Sequence, residues 1–149
     1  MPVVHTQEEL GALARDFVAR LEPGKAAAVM ALYGELGSGK TAFVKAVAQA
    51  LGVSETVTSP TFVLEKIYML ADKPFSRLIH IDAYRFLRPE ELTALGFETI
   101  AADPKNLIFI EWAERVETLL PKDVERMYFK TIDETTREIT FKYGETSKK

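Results

Sequence analysis

The chain has 149 residues, 47% hydrophobic and 28% charged, with a net charge of −3. That suffices for one domain with a real core and is short for two. It lacks cysteine, which excludes disulfides and thiolate metal sites and fits a reducing compartment. It also lacks the basic surplus of a protein that grips nucleic acid alone. No apolar run approaches the length of a membrane span, and the N-terminus does not read as a signal peptide. One domain is expected over residues 1–144, with the polar end 145–149 as a frayed tail, in a cytoplasmic protein.

Val3-Val4 suits a short strand. From Thr6 to Leu21 a helix is predicted: Thr6 and Glu9 form a capping box, and Leu10, Leu13, Ala14, Phe17, Val18 and Leu21 form one stripe. Residues 22–25 turn into the apolar run 26–33, a predicted buried strand. Then comes Gly34-Glu35-Leu36-Gly37-Ser38-Gly39-Lys40-Thr41, which fits G-x-x-x-x-G-K-[ST], the phosphate-binding loop. Phe43, Val44, Val47, Ala48 and Leu51 follow at helical spacing, and Gly52 sits at the stop. At average residue usage the four fixed positions arise by chance about once in a few hundred chains of this length. The alternative is a glycine-rich turn before an ordinary helix, and the strand–loop–helix context argues against it. In such a loop the glycines bring backbone amides close to an anion, the lysine reaches the β- and γ-phosphates, and the hydroxyl binds Mg²⁺. Lys40 and Thr41 are the candidates here.

Residues 58–62 are rich in hydroxyls, with Pro60 holding Ser59 extended. They read equally as a γ-phosphate switch or as a rigid turn. Residues 62–70 and 76–81 are predicted to pair as an antiparallel hairpin, which implies a mixed sheet. Two apolar strands end in carboxylates, one at Asp82 and one at Glu111. An acid at the end of a strand beside the loop is the Walker B pattern. Only one can be that acid; the other acts through water, positions the attacking water, or caps its strand. His80 shares a strand face with Asp82, and either orients it, senses the phosphate, or is structural. Arg85 is a candidate cation near the phosphates or an ordinary surface arginine. Residues 89–96 read as a short helix between Pro89 and Gly96. Trp112, the only tryptophan, either borders the site or packs in the core. A helical stretch is expected over 114–120, and a closing hairpin over 124–132 and 137–143 around Asp133-Glu134-Thr135-Thr136.

Four segments, GELGSGKT (34–41), SPTF (59–62), HIDAYRF (80–86) and IEWAERV (110–116), resemble in order and spacing the TsaE family, also called YjeE. The resemblance runs from about residue 6 to 143. It implies a small phosphate-loop α/β domain with a mixed, mainly parallel sheet flanked by helices, binding ATP with Mg²⁺. It places Thr41 and Glu111 at the metal, gives Asp82 the Walker B role, sets Trp112 beside the nucleotide, and makes residues 59–61 switch-like. With Lys40, the two acids become the catalytic candidates, and Glu35, Leu36, Gly37, Ser38 and Gly39 become phosphate contacts. Adenine is expected between the start of the first helix, at Thr6 or Gln7, and the C-terminal hairpin, at Thr136 or Arg137. Glu35, Ser38 and Phe86 stand where the family commonly has aspartate, alanine and leucine; none of these removes a phosphate or metal ligand.

The resemblance further implies an ATPase, weak in isolation and monomeric when free. It would dock on the TsaD–TsaB heterodimer and support formation of threonylcarbamoyladenosine at position 37 of tRNAs reading ANN codons, meeting tRNA only through that complex. Two other loop-bearing classes fit less well. A small-molecule kinase wants an arginine-rich lid, and no arginine cluster of that kind is present. A GTPase of the Ras kind wants N-K-x-D, but the one asparagine, Asn106, precedes Leu107.

Overall fold

A computed structural model describes residues 3–53, 65–71 and 73–142. The expected switch at 59–61, the start of the predicted 62–70 strand and the polar tail lie outside the described residues.

Seven strands form one sheet in the order β1-β7-β6-β2-β5-β4-β3. They are β1 (Val3–Val4), β2 (Ala28–Gly34), β3 (Glu65–Met69), β4 (Arg77–Asp82), β5 (Asn106–Glu111), β6 (Glu125–Thr131) and β7 (Arg137–Lys142). The four adjacent strands β6, β2, β5 and β4 are parallel. β3 is added antiparallel at one side, and β7 then β1 at the other. β1 thus rejoins the direction of the central four, so five of seven strands run one way. The sheet is mixed, as the hairpin pattern implied, and mainly parallel, as the family resemblance implied.

Burial explains which strands are central. β5 reads NLIFIE and is buried at all six positions, because a strand between parallel neighbours has helices over both faces. One face, with Leu32, Leu78 and Phe109, is covered by α1 (Gln7–Arg20) and α2 (Lys40–Ala50). The other, with Ala31, Ile79 and Ile110, is covered by α3 (Glu90–Ala94), α4 (Phe97–Ala102) and a 3-10 helix at Ala113–Leu119. Phe17 of α1 meets Phe43 of α2 edge-on, ring centroids 5.5 Å apart, and so seats the first helix on the second.

Three local expectations change. The Thr6 hydroxyl caps α1 by accepting from Glu9 N, but the Glu9 carboxylate accepts from His5 N rather than Thr6 N, so the box closes one residue early. Gly96, expected only as a helix stop, is a joint: its left-handed φ of 81° ends α3 and starts α4, a helix the short polar-apolar pattern did not announce. The helical stretch expected from 114 is a 3-10 segment broken at Val116, where φ is −129°. Behind it, the Tyr33 hydroxyl donates to Glu117 and accepts from Arg126 Nε at 3.2 Å. That cluster fastens the segment to β2 and β6.

Candidate functional site

The loop begins where β2 ends. Gly34 has φ 152°, and a Cβ there would lie 2.5 Å from Ser38 Oγ and 2.8 Å from the Phe129 carbonyl, so only glycine fits this crossing against β6. Gly39, at φ 110°, is the left-handed residue from which α2 springs. The chain therefore turns sharply from the middle of the sheet into a helix N-terminus, a backbone arrangement suited to an anion.

Lys40 is 4% exposed. Its ammonium donates to the carbonyls of Gly34 at 2.5 Å and Glu35 at 3.1 Å, and lies 4.1 Å from the centroid of the Trp112 ring. Burial lowers its pKa, opposed by the charges of Glu111, Glu114 and Asp82. Trp112 reaches it because its backbone is left-handed, φ 57° and ψ 45°, the one such non-glycine residue among those described. Tyr84 packs on the same indole, 4.9 Å between centroids.

The two acid-tipped strands meet as neighbours. Asp82 and Glu111 are register partners on β4 and β5, 4% and 3% exposed. The Thr41 hydroxyl donates to Glu111 Oε2 at 2.7 Å, whereas Asp82 Oδ1 accepts from Tyr84 N at 2.9 Å. The acid in contact with the loop threonine is thus Glu111, with Asp82 one strand over. These groups open onto a cleft of about 440 Å³, lined also by Leu36, Gly37 and Gly39. Arg85 is exposed and does not line it. His80 turns to Glu111 rather than Asp82, with Nε2 2.6 Å from Oε2.

A hydroxyl and two carboxylates make a hard-oxygen set. No group of three or more His, Cys, Asp or Glu able to hold a metal occurs among the described residues. The set is too sparse for an all-protein cage, but it suits Mg²⁺, which keeps its waters and borrows phosphate oxygens.

Beyond the loop a second hollow of about 390 Å³ lies between the start of α1 and the β6–β7 hairpin. Thr6, Gln7, Gly37, Ser38, Gly39 and Arg137 line it, so the two ends of the chain do meet the loop on this side. Thr136 does not line it; its Oγ1 is turned to His5 Nδ1 at 3.2 Å, and its neighbour Thr135 takes the wall. Arg137 spans the hollow, donating to the carbonyls of Asp133 at 2.8 Å, Thr136 at 3.1 Å and, on the loop, Gly37 at 3.3 Å. Glu35 joins the site through its carbonyl alone, and Leu36 stands 79% exposed at the rim. The apolar walls Leu10, Phe129 and Ile139, and His5, were not anticipated. Leu10 comes from the apolar stripe of α1, Phe129 from β6 and Ile139 from β7, while the pairing of β1 with β7 carries His5 alongside.

A profile of the family described as "Threonylcarbamoyl adenosine biosynthesis protein TsaE" matches residues 4–139. The chain belongs to the TsaE family. Among similar curated proteins is the tRNA threonylcarbamoyladenosine biosynthesis protein TsaE of Bacillus subtilis. It is 36% identical over 134 residues, 90% of this chain and 79% of that one. The protein of the same name from Rickettsia typhi is 34% identical over 143 residues, 95% and 94% of the two chains. The crystal structure of Bacillus subtilis YdiB superposes with a TM-score of 0.75 at 30% identity, covering 96% of this chain and 84% of that one.

Proposed function

We propose that this TsaE family member is a Mg²⁺-dependent ATPase serving tRNA threonylcarbamoyladenosine formation by docking on the TsaD–TsaB pair. The observation that carries the reading is the Lys40–Thr41 pair seated against the register-paired acids Glu111 and Asp82. The loop amides and Lys40 bind the phosphates. To do so the ammonium exchanges the carbonyls of Gly34 and Glu35 for phosphate oxygens while staying against Trp112. The Thr41 hydroxyl keeps its hydrogen on Glu111 and offers its lone pairs to the metal; Asp82 faces the same site across the strand pair. Mg²⁺, when bound, offsets charge on the transferring phosphoryl group. The adenosine end extends into the hollow beside Thr6, Gln7 and Arg137.

Lys40 is the only cation among the described residues that line the cleft. Phosphoryl transfer relies on positioning and charge balance, so a site with one cation hydrolyses slowly until a partner completes it. This supports weak activity alone and stimulation by the complex, which meets the tRNA. We place the free protein in the cytoplasm as a monomer; no described helix is long and apolar enough to cross a membrane. The test is ATP hydrolysis with and without TsaD–TsaB, with mass analysis of tRNA nucleosides from depleted cells rescued by wild type or Lys40→Ala. Hydrolysis stimulated by the pair and failed rescue by the variant are expected. Binding to the pair that ignores nucleotide would overturn the reading.

A further inference from the structure

We infer that His80 is a positioning residue for Glu111, holding the carboxylate that meets Thr41. His80 is fully buried on β4, in register with Phe109, and so stands diagonally from Glu111 on the same sheet face. An ionised carboxylate only accepts hydrogen bonds, so the ring nitrogen facing it, Nε2, carries the hydrogen. Both donors, His80 Nε2 and Thr41 Oγ1, converge on Oε2 at 2.6 and 2.7 Å. Among the described residues Oε1 has no hydrogen bond, which leaves it for a ligand in the cleft.

The other ring nitrogen, Nδ1, is buried with no partner among the described residues. A residue chosen for stability alone would not sit this way, because an apolar side chain of similar volume would fill the space without stranding a polar atom. The contact explains the histidine only if the carboxylate's orientation matters. The inference rests on the proposed metal role of Glu111. It assigns His80 the part of an outer partner that fixes a ligand's rotamer before the metal arrives.

The test compares His80→Leu, which removes the donor, with His80→Gln, whose side-chain amide can supply an N–H to the same oxygen. Mg²⁺ is titrated at saturating ADP and followed through Trp112 fluorescence; ADP binding in EDTA and the melting temperature are measured alongside. His80→Leu should weaken Mg²⁺ by about tenfold or more, leave ADP binding in EDTA within about twofold, and be largely rescued in His80→Gln. Unchanged Mg²⁺ affinity in a folded His80→Leu protein overturns the inference, as does a glutamine variant no better than leucine. Should His80→Leu not fold, nitrogen-15 NMR of the metal-free wild type decides: a hydrogen on Nε2 that shifts in Glu111→Gln supports the pairing, and a bare Nε2 overturns it. Wild type that binds no Mg²⁺ with ADP would instead sink the functional reading, while the NMR measurement still settles the pair.

Discussion

The two hollows beside the loop are built on opposite plans. The cleft beside Lys40 sits at the ends of the central parallel strands and carries three charged side chains that are almost wholly buried, Lys40, Asp82 and Glu111. Each is held by a hydrogen bond, Lys40 to the Gly34 carbonyl, Glu111 from Thr41 and Asp82 from the Tyr84 amide just past β4. The hollow by the hairpin is assembled from the start of α1, β7 and the loop backbone, with apolar walls and one arginine. Buried charge demands fixed partners, because a stranded ion costs several kcal/mol, roughly as much as a small domain's whole stability margin. An apolar hollow tolerates looser construction at the margin of the sheet. Losses in the cleft should therefore be abrupt and tied to Mg²⁺, and losses in the hollow graded and indifferent to it.

The sharpest way to break this contrast is Lys40→Ala. It leaves the two acids facing each other without a cation, and triphosphate affinity or partner-stimulated hydrolysis should drop about 100-fold or more; ordinary turnover in that variant would sink the assignment. Next, Glu111→Ala should lower Mg²⁺-dependent activity about 10- to 100-fold, and Asp82→Ala somewhat less, since Glu111 alone meets Thr41. Nucleotide binding in EDTA should survive both. Arg137→Ala should weaken ATP only about three- to tenfold, equally with and without Mg²⁺. A Mg²⁺-dependent loss there would show that the two hollows are one energetic unit.

The smallest effect lies away from both. Burial raises the Glu125 pKa above its ordinary 4.5, partly offset by the charge of Arg20. The neutral carboxyl is the form the fold prefers, so its contribution is present below that value and is lost as pH rises through the raised pKa. Glu125→Gln should accordingly melt about 1–2 °C higher at neutral pH and converge with wild type in acid, with nucleotide binding unchanged.

Sequence alone reached the cleft because its parts are written locally. Residues 34–41 are contiguous, and Asp82 and Glu111 each terminate an apolar run, so strand-end logic placed both near the loop. Strand-end logic did not say which acid meets Thr41, since that depends on the β4–β5 register; only the family resemblance grouped Thr41 with Glu111. Nor could it assign His80 to Glu111 rather than Asp82, because a cross-strand diagonal is invisible along one strand. In the hairpin-side hollow, Thr6, Gln7 and Arg137 came only from the family resemblance. Thr136 stands off that hollow because the turn ahead of β7 faces Thr135 inward and leaves Thr136 Oγ1 on His5, a choice made by the turn's backbone. Gly96 stops α3 as expected, but α4 beyond it went unseen because a left-handed glycine closes one helix whether or not another begins at once.

β5 carries one further consequence. Its six residues are buried, and its amides and carbonyls lie between parallel neighbours on both sides. Such a strand releases its amide hydrogens to deuterium only when the whole domain opens, whereas β1 and β7 at the sheet margin open in smaller fluctuations. Glu111 therefore keeps its place for as long as the fold exists. On warming, the hairpin-side hollow should exchange first, leaving the acid, the threonine and the lysine assembled until the cooperative transition.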